Sequence, residues 1–327
     1  MNLLQLPTEI LILIIRLLGS GFFHYDTRRL MVSKWWYELA RLVLLRDLQF
    51  SAKSLPRFLR TDMSSLVHQH TRTVDIAFDG VQDRRAVLSA SPDVRERMVS
   101  DWTTNVANDL TSLAAILQDC RNLRSLKLKP RPRWRARSVF LQTYFSSDAL
   151  VPLLSVSHLT CLEFDTVCTG IGGASSRPGS HICENISALL LTLRRLRCRM
   201  RKICPRILNP PGEGTISSLE EVIINLNLGD LSHHTPPQHS YRCGIFVPGL
   251  SSTWKADMES GAKELVNRMA TPRVVKVLSR SVPGPQMECF DAIAQRRVML
   301  APGAAWEADG EVVEETTADE DPDQLSI

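Results

Sequence analysis

The sequence predicts a mixed helix-and-sheet protein (α+β or α/β). It divides into a helical unit over residues 1–50, a linking helix over 51–70, an irregular leucine-rich-repeat-like α/β solenoid over 71–305 and a disordered acidic tail over 306–327. Three observations carry that expectation. Residues 3–50 are dense in Leu, Ile and Trp and open a helix on a proline. The spacing Leu-x-x-Leu-x-Leu, set by Leu123, Leu126 and Leu128, recurs in degraded form from Leu159, Leu193 and Leu219, at intervals of 36, 34 and 26 residues. From Glu307 onward the chain carries nine acidic residues and no Lys or Arg.

Pro7 suits a first helical turn, where its missing N–H is no loss and its φ is already helical. Thr8 and Glu9 add polar groups at the positive helix end. Ile10, Leu13, Ile14 and Leu17 then recur at helical spacing. Gly19-Ser20-Gly21 marks the expected stop. Asp26 is positioned to cap a second helix carrying Leu30, Val32, Trp36, Leu39, Ala40, Val43 and Leu44. A unit this small cannot bury so much apolar surface by itself, so part of it is expected to meet another protein.

Beyond it, Arg72–Phe78 alternates as a short strand ended by Asp79-Gly80. Residues 92–120 read as a helix with Trp102, Val106, Leu110, Leu113 and Leu117 on one face. Each Leu-x-x-Leu-x-Leu match is expected to form a strand, with helices between (182–191 and 251–269 among them) and parallel pairing from one strand to the next. Arg273–Leu278, Met287–Ala292 and Arg297–Leu300 read as closing elements. The Gly/Pro/Ser-rich stretches 169–180, 209–215 and 229–240 read as surface loops.

Leu6-Pro7-Thr8-Glu9-Ile10-Leu11, followed by Leu30-Met31-Val32-Ser33-Lys34-Trp35-Trp36 and Leu39-Ala40, resembles an F-box. The family pattern is a Leu-Pro-x-Glu-Ile/Leu opening, an apolar helix, and a Val-Cys/Ser-Lys/Arg-x-Trp segment closing on Leu-Ala. The linker 19–25 is about three residues longer than the common form. The resemblance covers the first fifty residues or so, and the ending through Trp306-Glu307 is similar to that of fungal F-box proteins with degenerate leucine-rich repeats. It implies a three-helix hook that binds the Skp adaptor of a cullin–RING ubiquitin ligase and a remainder that holds a substrate protein. Carried over by position, Leu6, Pro7, Ile10, Ile14, Leu30, Val32 and Trp36 are the expected adaptor interface or its supporting core. No catalytic residue is implied, because ubiquitin transfer occurs on the RING subunit and its conjugating enzyme.

Composition fits an ordinary soluble globular protein: 44% of residues are hydrophobic and 23% charged. The apolar run between Glu9 and Arg16 is too short to span a bilayer, and no basic segment precedes it as in a signal peptide. The eight cysteines lack Cys-x-x-Cys pairs, which favours reduced thiols in a cytoplasmic and/or nuclear protein. No phosphate-cradling, dinucleotide-binding, serine-elbow or zincin motif occurs. His233, His234, His239 and Cys243 have no common metal-ligand spacing, and Cys183, Cys198 and Cys204 read as buried small apolar side chains. No metal or cofactor is therefore expected.

The charge is uneven. Setting aside the tail's nine carboxylates leaves 39 basic against 26 acidic residues, or +13, in the first 306. Two runs carry much of it: Arg121 to Arg137 around Trp134, and Arg194 to Arg206. At equivalent places in stacked repeats they make a positive stripe. Arg131, Arg133, Trp134, Arg135, Arg199 and Arg201 are then candidates to hold an acidic or phosphorylated substrate. The alternative is a scaffold or nucleic-acid-binding protein working through the same stripe.

Overall fold

The computed structural model describes residues 6–78, 89–130, 143–166, 170–172, 181–228, 239–243, 251–280, 286–301 and 303–312. The chain opens with α1 (Thr8–Tyr25), whose first turn is closed by the Pro7 carbonyl accepting from the N–H groups of Ile10 (3.0 Å) and Leu11 (3.1 Å). The expected stop at Gly19 is instead a kink. Gly19 takes φ 72° and ψ 170°, and the helix resumes to Tyr25. That conformation is nearly exclusive to glycine, so a stop signal becomes a change of direction when apolar residues follow it. Here Phe22 and Phe23 follow and pull the chain back onto the module's core.

Asp26 does cap, but it caps a 3-10 turn (Thr27–Leu30) through the Arg28 N–H, 3.0 Å away. The second helix, α2 (Lys34–Arg46), is capped by Ser33, whose Oγ accepts from the Trp36 N–H at 3.0 Å. The described residues thus show two α-helices joined by a 3-10 turn where three helices were expected. Leu11, Ile15, Phe23, Leu30, Trp36 and Ala40 form their shared core.

α2 runs without a loop into β1 (Asp47–Ser51), the first edge strand of the sheet, so the helical unit ends at Arg46, not at residue 50. The single linking helix is two short ones, α3 (Leu55–Leu59) and α4 (Ser64–His70). Then follow β2 (Thr73–Phe78), α5 (Pro92–Gln118), β3 (Ser125–Pro130), β4 (Thr143–Ser146), α6 (Ser147–Leu154), β5 (Cys161–Asp165), β6 (Gly170–Gly172), α7 (Ile182–Leu189), β7 (Arg195–Arg199), β8 (Glu221–Asn225), α8 (Ser251–Arg268) and β9 (Val274–Arg280). β10 (Met287–Asp291), β11 (Arg296–Leu300) and β12 (Glu311–Val312) close the chain. β6 falls within a stretch expected to be loop and pairs in parallel with β4.

The main sheet has ten strands in the order β1-β2-β3-β5-β7-β8-β9-β10-β11-β12, parallel through β9 and antiparallel after it. The protein is therefore a mixed α/β fold built on a mostly parallel sheet. Each Leu-x-x-Leu-x-Leu match became a strand because its second and third apolar positions alternate onto one face. In register across seven strands lie Leu48, Val74, Leu126, Leu162, Leu196, Val222 and Val275. A second row runs Phe50, Ile76, Leu128, Phe164, Cys198, Ile224 and Val277. All are buried in one core with Val106, Leu110, Leu113 and Leu117 of α5 and with Leu150, Ile186 and Leu265. The opposite face carries charge in alternating sign: Asp75, Lys127, Glu163 and Arg197 sit side by side on successive strands. Opposite charges across adjacent strands support that register.

Residues 306–312, assigned above to disorder, pack over the charged face. Trp306 and Ala308 join a small core with Ile223, Leu278 and Cys289, and β12 pairs with β11. The buried Lys276 ammonium donates to the Glu307 and Ala308 carbonyls, 3.0 Å each. The rest of the tail lies outside the described residues.

Candidate functional site

On the helix pair, burial divides the expected interface in two. Pro7, Ile10 and Val32 are exposed, Leu6 and Ile14 half-buried, and Leu30 and Trp36 buried. Leu30 and Trp36 are accordingly support and not contact surface: the Trp36 indole N–H donates to the Arg29 carbonyl at 2.8 Å, and its ring faces Phe23 at 6.3 Å. Arg29 in turn donates to the Phe22 carbonyl (2.9 Å) and lies over the Phe22 ring at 4.1 Å. These contacts fix the 3-10 turn against the kinked end of α1.

With that core complete, a set of large apolar side chains still faces solvent. Ile10, Leu13 and Leu17 are 43%, 53% and 80% exposed and make one stripe along α1, while Met31 and Val32 are 81% and 57% exposed before α2. Trp35 and Tyr37 add to it. α1 is long and apolar enough to be considered for a membrane span. Its kink at Gly19 leaves a straight segment of 8–18, which at about 1.5 Å per residue reaches roughly half the ~30 Å of a hydrocarbon core. Its arrangement suits a protein groove, which reads anchors at i, i+3 and i+7.

The second arginine run is largely paired within the sheet. Arg194 meets Glu220 (2.9 Å), Arg195 meets Glu221 (2.7 Å), and Arg197 bridges Glu221 (3.0 Å) and Glu307 (3.3 Å). Glu220 is held below its ordinary carboxylate range chiefly by the Arg194 hydrogen bond. Arg199 is buried, forks onto Asp165 (Nη2 to Oδ2 2.7 Å, Nε to Oδ1 3.1 Å) and is covered by Trp306. Its place as a substrate contact is therefore corrected to an internal ion pair. Arg201 is half-buried, and its carbonyl accepts the Tyr241 N–H at 2.6 Å. Arg131, Arg133, Trp134 and Arg135 lie outside the described residues.

A grouping that local spacing did not suggest lies at the ends of β7 and β8. After β7 the chain makes a bridge from Lys202 to Tyr241, and after β8 Asn227 bridges His239. Segment 239–243 is thus threaded between the two strand ends, which brings Cys243 beside Cys204 and the start of α7. His181, Cys183, Cys204 and Cys243 place one ligand atom each within 4.8 Å of all the others. Cys183 Sγ is 3.7 Å from Cys243 Sγ, and Cys204 Sγ is 3.5 Å from His181 Nε2. Hydrogen bonds from Cys183 and Cys243 draw the Cys204 thiol down toward the thiolate, while Cys183 is pushed up. All three cysteines read as small apolar residues are buried in the main core; Cys183 and Cys204 in addition turn their sulfurs into this cluster. His239 stands apart from the cluster, and His233 and His234 lie outside the described residues.

Neither known protein families nor curated proteins give a match to this chain.

Proposed function

We propose that this chain is the substrate-recognition subunit of a Skp–cullin–F-box ubiquitin ligase. In this reading the helix pair docks on a Skp adaptor, and the parallel sheet with its helices is an irregular leucine-rich solenoid that presents the target. The observation that carries it is the exposed apolar stripe of Ile10, Leu13 and Leu17 beside Met31 and Val32, on a module whose own core is already filled. The F-box-like residue pattern names the occupant. The chain performs no chemistry of its own; it supplies proximity and orientation to a conjugating enzyme bound elsewhere in the complex. The reduced cysteines fit work in the cytoplasm and/or nucleus.

The pairing of Arg194, Arg195, Arg197 and Arg199 with carboxylates lowers the net positive charge of the second basic run, which weighs against a nucleic-acid reading of that run. Of the expected substrate contacts, Arg131, Arg133, Trp134 and Arg135 stay as candidates of this reading. Co-purification tests the proposal. A tagged chain is expected to recover a Skp adaptor, and a variant with Pro7, Ile10 and Val32 replaced by charged residues is expected to lose it while keeping the sheet folded. Equal recovery by both forms refutes it.

A further inference from the structure

We infer that His181, Cys183, Cys204 and Cys243 hold a structural zinc ion that ties together three segments of the solenoid. The inference is independent of the ligase reading. Three thiolates and one imidazole are a zinc donor set, and four protein ligands with no open position make a structural site, not a catalytic one. Cys183 and Cys204 are buried, and His181 and Cys243 half-buried, so the site is closed by the fold itself.

The distances carry the argument further. With Zn–S near 2.3 Å, two sulfurs on a tetrahedral ion are about 3.8 Å apart, and with Zn–N near 2.0–2.1 Å a sulfur and a nitrogen are about 3.5–3.6 Å apart. Cys183 Sγ to Cys243 Sγ is 3.7 Å, and Cys204 Sγ to His181 Nε2 is 3.5 Å. Both match the edge lengths of such a tetrahedron, and every other ligand pair lies within 4.8 Å. The sulfur separation is also far beyond the ~2.05 Å of a disulfide. Soft thiolates select zinc over magnesium or calcium, which take oxygen donors.

The ligands come from three separate segments. His181 stands at the N-cap position of α7 without a side-chain capping bond, and Cys183 sits in its first turn. Cys204 stands at the N-cap position of the 3-10 turn Pro205–Leu208 that follows β7, again without a side-chain capping bond. Cys243 lies in the stretch threaded between β7 and β8, which is otherwise held by backbone bonds such as Ile203 N–H to the Tyr241 carbonyl (2.8 Å) and Ser240 N–H to the Leu226 carbonyl (2.9 Å). Three thiolates around one divalent cation leave a net charge of −1, with Lys202 two positions before Cys204 in the chain, while Arg206 is paired with Glu184. Coordination displaces the thiol protons to solvent and involves no oxidation.

The test is elemental analysis of the full-length chain, purified under reducing conditions, with thermal unfolding measured before and after a strong chelator. About one zinc per chain is expected, with a lower Tm once the zinc is stripped. Cys183→Ser and Cys204→Ser are expected to lose the metal. Because those variants could fail to fold, His181→Cys is the companion: it keeps four soft donors and is expected to retain zinc. Thiol alkylation read by mass spectrometry gives an independent measure. Cys183, Cys204 and Cys243 are expected to react only after chelation, whereas Cys161, half-buried and outside the cluster, reacts equally in both states. A folded chain without metal, zinc content unchanged in Cys204→Ser, or a Cys183–Cys243 disulfide in the purified chain would each overturn the inference.

Discussion

The guanidinium carbon of Arg199 sits 5.0 Å from the centre of the Trp306 ring while its nitrogens hold Asp165. One arginine thus joins two neighbouring parallel strands and anchors the segment that crosses them. Both members of the ion pair are 8% exposed. Removing one partner strands the other charge in a desolvated place, at about 3–5 kcal/mol. Asp165→Ala is therefore expected to lower unfolding free energy by that amount in a denaturant titration. Asp165→Leu combined with Arg199→Met is expected to recover most of the loss, since no charge is then left unpaired.

Trp306→Ala separates the strap from the strand pairing beneath it. The cation–π contact contributes about 1–2 kcal/mol when desolvated, and the ring also packs on the small core of Ile223 and Leu278. With the ring gone, residues 303–312 are expected to become a site of limited proteolysis while the parallel strands stay protected. Mass spectrometry of the first cleavage products checks this. A first cut elsewhere in both forms contradicts the anchoring role.

The same strap has a pH dependence whose sign is fixed. Burial acts to raise the pKa of Glu307, but its backbone hydrogen bond and Arg197 outweigh burial and hold it below the ordinary 4.5. A carboxylate with a depressed folded pKa stabilises the fold above its unfolded pKa and loses that contribution as pH falls through the folded one. The strap is accordingly expected to hold at neutral pH and loosen as pH drops below about 4.5. Glu307→Gln is expected to remove the part of that acid transition that the strap contributes, read by amide exchange at Val312 and Met299.

At the docking surface, exposure decides which substitution does what. Ile10→Asp and Val32→Asp change solvent-facing side chains and leave the module's core alone, so Tm is expected to shift little. If they are interface anchors, adaptor affinity is expected to fall by about 2 kcal/mol or more each, roughly thirtyfold. Trp36→Ala acts the other way round. It opens a cavity beside Phe23 and leaves the Arg29 carbonyl without its donor. A cost of about 3–5 kcal/mol to the module is expected, with binding lost only because the module unfolds. Calorimetric unfolding alongside adaptor titration tells the two classes apart.

Much of the parallel sheet was readable from the chain because several strands announce themselves locally: Leu126 and Leu128 alternate with Lys127 and Lys129, and the same alternation returns at Leu162 and Leu196, whereas β1 and β6 carry no such mark. Period-two burial leaves that mark wherever one face is apolar and the other charged. The strap was not readable, since Glu307 to Glu311 is acidic and short, and what orders it is Trp306 reaching Arg199 more than a hundred positions earlier. The arginine run misled for a related reason. Arg194 to Arg199 is basic as a string, but neighbouring strands β5 and β8 supply Asp165 and Glu221, and Glu220 stands just before β8. The histidine–cysteine cluster left no local mark either, because its four members come from three segments that meet only once β7 and β8 are paired.

Gly19 offers a clean test of the kink. At φ 72° and ψ 170° an alanine is strained by about 1–3 kcal/mol from its backbone alone. An added Cβ meets nothing within 4 Å, so no steric clash clouds the result. Gly21 provides the control: it lies in the resumed helix, its Cβ would also stand in open space, and Gly→Ala in a helix stabilises by up to about 1 kcal/mol. Gly19→Ala is therefore expected to destabilise and Gly21→Ala to be neutral or stabilising, with both measured by thermal unfolding of the whole chain. The kink also sets where Phe23 meets Trp36, so Gly19→Ala is expected to weaken adaptor capture even at temperatures where the sheet remains intact. If Gly19→Ala stabilises the chain as much as Gly21→Ala does, α1 runs straight through residue 19 in solution and the helix pair packs differently from the arrangement described above.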